Sequence, residues 1–124
     1  MKEKFIKVLK VEPYKKPEVV TLKNELSSLQ EAVGGLIEFV GLDYDNGIDI
    51  LCNEEGKLIG LEPNRKVGSD IIVGVFYVIK TNLEGDCCSL DDTEIEKYRE
   101  LFKEPEYYTT EDVIKSINYG FTRF

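Results

Sequence analysis

Between Asp70 and Lys80 the chain reads Ile-Ile-Val-Gly-Val-Phe-Tyr-Val-Ile, nine residues with no charged or amide side chain among them. A membrane-spanning helix needs roughly 20 apolar residues, so this run is too short to be one. It is also too apolar to leave a face in water. A strand that is apolar at every position, rather than at every second one, is a strand covered on both sides. Ile71–Lys80 is therefore placed at the centre of a sheet, and the other segments of the 124-residue chain must flank and cover it. With 42% hydrophobic residues the sequence can fill one modest core.

The flanking pieces can be read in order. Phe5, Ile6, Val8, Leu9 and Val11 form an extended apolar stretch closed by Glu12-Pro13, and Glu18–Leu22 form another after Lys15-Lys16-Pro17, which predicts a hairpin. Leu26, Leu29 and Val33 then lie at helical spacing behind Asn24, and Gly34-Gly35 supplies a stop, which predicts a helix over 24–33. Leu36–Leu42 and Ile48–Cys52 flank an Asn46-Gly47 turn, the signature of a second hairpin. Asp49–Cys52 and Lys57–Leu61 read as a third pairing through Asn53-Glu54-Glu55-Gly56. Ser89-Leu90-Asp91-Asp92 resembles a helix start, with Ile95, Tyr98, Leu101 and Phe102 on one face, so a helix is expected over 91–103. Glu104-Pro105-Glu106 ends it, and Thr109 or Thr110 caps a last helix carrying Val113, Ile114 and Ile117. The fold class expected is α+β: a mostly antiparallel sheet of five to six strands, one or two helices packed on it, and a short C-terminal helix. Residues 1–105 form the domain and 106–124 a short helical, aromatic tail.

Charge and missing residues narrow the chemistry. Sixteen basic against 24 acidic residues leave −8, so an electrostatic footprint for nucleic acid or anionic lipid is absent, and neither is expected as a partner. There is no histidine, which removes the commonest general base and every Ser-His or Cys-His nucleophile pair. Cys52, Cys87 and Cys88 have no C-x-x-C spacing and are expected to be free thiols. Asp43, Asp45 and Asp49 do not follow the spacing of a calcium loop, because Gly47 falls at position five rather than six. No metal, no cofactor and no catalytic residue is expected. The N-terminus MKEKFIKVLKVEP is charged where a signal peptide would be apolar, so the chain is expected in the cytoplasm.

Two groups of residues remain as candidate sites. Arg65, one of three arginines, stands beside Lys66 in the polar stretch after Gly60, a local positive spot in an acidic chain. With Asn64, and with Asn53 converging from the preceding turn, it would form a ligand site for a carboxylate or phosphate. The competing reading is that Pro63-Asn64 makes a turn and Arg65 pairs with an acid such as Glu62. The second group is the aromatic tail. Tyr107, Tyr108 and Phe121 offer a partner-binding surface, against the alternative that they lock the tail onto its own domain.

Lys7–Pro13, the run Leu29-Gln30-Glu31-Ala32-Val33-Gly34-Gly35-Leu36-Ile37-Glu38, Cys52–Leu61, Pro63-Asn64-Arg65 and Asp70–Phe76 follow one another in an order that resembles the domain of unknown function 3846 family. The resemblance covers residues 5 to 103 and leaves the tail outside. It implies a context rather than an activity, that of small proteins carried by phages and conjugative elements of low-GC Gram-positive bacteria. The expectation is a non-catalytic binding protein of phage or mobile-element type that binds a host protein, a defence component being one candidate. The alternative is a small-molecule binder that sequesters an anionic, nucleotide-like ligand. A homo-oligomer is compatible with either.

Overall fold

The computed structural model describes residues 2–121, and the side chains of residues 2–117. Eight strands and three helices follow in order. They are β1 (Phe5–Val11), β2 (Glu18–Lys23), α1 (Leu26–Val33), β3 (Ile37–Asp43), β4 (Ile48–Asn53), β5 (Pro63–Val67), β6 (Asp70–Val73), β7 (Phe76–Thr81), β8 (Cys87–Cys88), α2 (Asp92–Leu101) and α3 (Thr110–Phe121). Six strands form one antiparallel sheet in the order β2-β1-β7-β4-β3, with β8 paired to the end of β7. The class is α+β, as the sequence pattern predicts.

Strand β7 lies at the centre, and its alternating side chains feed two cores. On one face Phe76 and Val78 pack with Leu9, Val11, Ile48 and Ile50 under Ile95, Tyr98 and Phe102 of the α2 region. The rings of Phe76 and Phe102 meet edge to face at 5.3 Å, an arrangement the ring quadrupoles favour. On the other face Tyr77 and Ile79 pack with Ile6, Val8 and Leu51 under Leu29 and Val33 of α1. The Tyr77 hydroxyl donates to the Ala32 carbonyl at 3.2 Å, which satisfies the one polar atom this strand buries there.

The helix ends follow from local chemistry. Gly34 ends α1 at φ 79°, a left-handed position that glycine adopts without strain. Asp91 caps α2 in a capping box, its carboxylate accepting the Glu94 N–H while the Glu94 carboxylate accepts the Asp91 N–H, each at 2.8 Å.

Two expectations are corrected. Lys57–Leu61 is not a strand but a run of turns, closed by N–H donation from Gly56 to Asn53, Ile59 to Glu55 and Leu61 to Gly56. The physical reason is that Leu58 and Ile59 are adjacent and both exposed, so no buried face alternates with a wet one. The apolar run Ile71–Lys80 is not one strand either. It breaks at Gly74, where φ is 74° and an added Cβ would lie 2.7 Å from Leu61. The half before the break, β6, leaves the main sheet and pairs with β5 in a separate two-stranded sheet. The polar stretch after Gly60 thus contains strand β5.

Candidate functional site

Strand β5 carries the Asn64-Arg65 pair at a register shift between Pro63 and Arg65. A bulge breaks the alternation of a strand, and here it sends two consecutive polar side chains inward. Asn64 and Arg65 are both fully buried. The Arg65 guanidinium has five N–H groups, and all five are used. Nε and Nη2 donate to the Phe102 carbonyl at 3.2 and 2.8 Å, and Nη2 donates again to the Lys15 carbonyl at 2.8 Å. Nη1 donates to Asn64 Oδ1 at 2.8 Å and to the Glu12 carbonyl at 3.5 Å. Asn64 Nδ2 donates to the carbonyls of Val11 and Gly74, each at 2.9 Å.

This is a cation solvated by backbone. Phe102 is the C-cap of α2, where unpaired carbonyls gather the negative end of the helix dipole, so its carbonyl suits a guanidinium without any carboxylate. Burial lowers the Arg65 pKa from its ordinary value, while Glu106 and Tyr107 act in the opposite sense. Asn53 is spent in the same way elsewhere. Its Nδ2 donates to the Val33 carbonyl at 3.2 Å and its Oδ1 accepts the Glu55 N–H at 2.8 Å. The expected convergence of Asn53, Asn64 and Arg65 on one ligand face is therefore not what the structure has. Their polar atoms hold turns, a helix end and strand ends together, and Arg65 makes no pair with Glu62.

Lys66, the next residue along β5, points out into water. It lines a groove of about 560 Å³ together with Tyr107, Tyr108, Ser69, Lys115 and Ser116, between the β5–β6 hairpin and α3. Three of the residues singled out from sequence, Lys66, Tyr107 and Tyr108, thus meet at one place. Glu106 ties them to the domain, its Oε1 accepting the Lys66 N–H at 3.0 Å and the Tyr108 hydroxyl. Burial and that hydrogen bond push the Tyr108 pKa up to about 12. Tyr107 is 73% exposed, and one face of its ring stacks on Tyr14 at 5.4 Å. Tyr14 has φ 66°, unusual for a bulky side chain, and its hydroxyl donates to Glu62 at 2.8 Å. Phe121 closes α3, and its side chain lies outside the described residues.

The remainder of the tail is anchored. Val113 is buried against Ile71 and Val73 of β6, with Leu61 and Tyr108 packed beside them. Thr109 caps α3, its N–H donating to Asp112 at 2.8 Å while its hydroxyl accepts the Asp112 N–H at 3.1 Å. Hydrogen bonding from Thr109, its backbone N–H foremost, holds the Asp112 carboxyl below its ordinary pKa. Ser69, Lys115 and Ser116 carry no sequence signal of their own, because only the packing of α3 on the hairpin brings them to the groove.

The acids and thiols elsewhere are also accounted for. The Asp43 carboxylate accepts from Asn46 at 2.8 Å, and Asp49 accepts the Thr81 hydroxyl at 3.0 Å. All three cysteines are free. Burial, with Glu38 alongside, pushes the Cys52 thiol up to about 12, and burial raises Cys87 as well. Among the described residues, no helix is long and apolar enough to cross a membrane.

Compared with curated proteins and with solved structures, the chain finds no match. A family model described as Domain of unknown function (DUF3846) matches residues 6–103, from the second residue of β1 to just past the Phe102 carbonyl that Arg65 holds. The chain belongs to the DUF3846 family, with α3 outside the matched region.

Proposed function

We propose that this chain is a non-catalytic binding protein of phage or mobile-element type, which acts in the cytoplasm by occupying a host protein, a defence component being the first candidate. The observation that carries this reading is the groove at Lys66, Tyr107 and Tyr108. Ile71 and Asp112 complete its lining, and of all these residues only Ile71 is buried, so the groove is an open trough along the surface rather than a chamber. A site for an enclosed small molecule covers most of its ligand, whereas an open trough with an exposed aromatic suits a protein surface. The protonated state of Cys52 supports the non-catalytic part, since a thiol held near pKa 12 is a poor nucleophile at neutral pH. A second reading, a small anionic ligand, is favoured by one observation, that Lys66 and Lys115 both line the groove.

One experiment separates the two. A photo-crosslinking amino acid replaces Tyr107 in the full chain, expressed in Gram-positive host cells and irradiated. The expected result is one discrete protein adduct that disappears when Lys66→Glu is added. No protein adduct, together with an anionic small molecule released from the purified chain on denaturation, supports the second reading and rejects the first.

A further inference from the structure

On the other side of α3 from the Lys66 groove lies a second surface of different character. The segment from Asn53 to Leu61 is a stiff loop. Backbone N–H groups of Gly56, Ile59 and Leu61 donate within it, Asn53 Oδ1 fixes its first turn, and Gly56 sits so close to Val73 that a Cβ would lie 2.8 Å away. A loop held this firmly could have turned its apolar side chains inward. Instead Leu58 is 85% exposed and Ile59 59% exposed. Beside them a groove of about 390 Å³ has an apolar floor of Leu61, Val73, Val113, Ile114 and Ile117, with Ile114 itself half in water, and a polar edge that includes Lys57 and Glu62. Rigid apolar groups presented to solvent next to an apolar groove mark an interaction surface.

Charge selects what covers it. Glu62 lines the groove, Glu54 and Glu55 are exposed on the loop that borders it, and Glu111, paired with Lys115, is exposed on α3 at i, i+3 from Ile114. Lys57, at the groove's edge, is already paired with Asp70. A second copy of the chain would bring acid onto acid and add −8 to −8. Anionic lipid meets the same repulsion.

We propose that this face seats a basic amphipathic helix of a partner protein, its apolar side chains in the groove between α3 and the 53–61 loop and its lysines or arginines toward Glu62 at the groove and Glu54 and Glu55 on the bordering loop. The proposal rests on the reading of the chain as a binding protein, but not on the Lys66 groove.

The test uses the full chain and two designed 18-residue helical peptides that share one leucine face. One carries lysine and arginine on its polar face, the other glutamate. Fluorescence anisotropy should show the basic peptide binding at least ten-fold more tightly than the acidic one. Its NMR shift changes should centre on Leu58, Ile59 and Ile114. The double variant Leu58→Ser, Ile59→Ser should weaken it at least ten-fold with an unchanged melting temperature, because both side chains are already in water. Equal binding of the two peptides, or undiminished binding of the basic one to the double variant, would overturn the proposal. So would binding of the chain to phosphatidylglycerol vesicles through Leu58 and Ile59, or a dimer in sedimentation that the double variant abolishes. A protein adduct at position 107 without basic-peptide binding would reject this face alone and leave the reading of the Lys66 groove standing.

Discussion

Arg65 joins three places far apart in the chain: the β1–β2 turn through Glu12 and Lys15, its own strand through Asn64, and the end of α2 through Phe102. Removing it leaves the buried Phe102 carbonyl and Asn64 Oδ1 short of donors, each costing about 1–3 kcal/mol. Arg65→Ala is therefore expected to lower stability by about 3–5 kcal/mol in urea unfolding. Arg65→Lys should recover less than half, because an ammonium has three donors and no planar fork. A loss under about 1 kcal/mol for Arg65→Ala would show that these bonds carry little net energy. Cys52 gives a second expectation at this scale. Its folded pKa of about 12 lies above the ordinary thiol value of 9.0, so above pH 9 the unfolded chain loses the proton first. That contribution to stability is full below pH 9 and declines as pH rises toward 12. The urea midpoint should fall across that window in the wild type and less in Cys52→Ala, while alkylation at neutral pH should spare Cys52 until the chain unfolds. The sequence made Arg65 visible as a rare cation but pointed it the wrong way. A strand pattern marks burial by apolar side chains, and a bulge that buries two polar ones leaves no periodic trace.

At the scale of elements, the helices were legible because their ends are local chemistry: Asp91 with Glu94 for α2, Gly34 for α1, Thr109 for α3. The failures sit where tertiary contact decides. Gly74 reads as one more small residue in an apolar run, yet its left-handed backbone against Leu61 divides that run between two sheets. Gly74→Ala should cost about 2 kcal/mol, from backbone strain plus the displaced Leu61. Thermal unfolding measures it, and an unchanged midpoint would mean that the β6–β7 junction adjusts freely. The 57–61 segment failed for the complementary reason. Its apolar residues suggested a strand, but Leu58 and Ile59 face water, so the sheet gained nothing by pairing them.

For the whole molecule, the question is how α3 relates to the sheet. The family match ends at residue 103, and among the described residues the main sheet draws no strand from beyond β8, so a chain cut after Pro105 should keep its strands by far-ultraviolet circular dichroism. The cut also removes Val113 from Ile71 and Val73 and Glu106 from the Lys66 N–H, so hydrogen exchange should quicken in β5 and β6 while β1, β4 and β7 stay protected. Global unfolding of the truncated chain would make α3 part of the same cooperative unit. The order β2-β1-β7-β4-β3 has a further consequence during synthesis on the ribosome. The two hairpins β1–β2 and β3–β4 can close as soon as each emerges, but the strand that joins them ends only at Thr81. At about 5–20 residues per second, the inner edges of β1 and β4 wait on the order of seconds for their common neighbour. Through that interval the nascent chain exposes two apolar strand edges that could accept a wrong partner. Slower decoding of the codons between Asn53 and Thr81 should therefore raise the insoluble fraction of newly made protein without changing the stability of the molecules that fold.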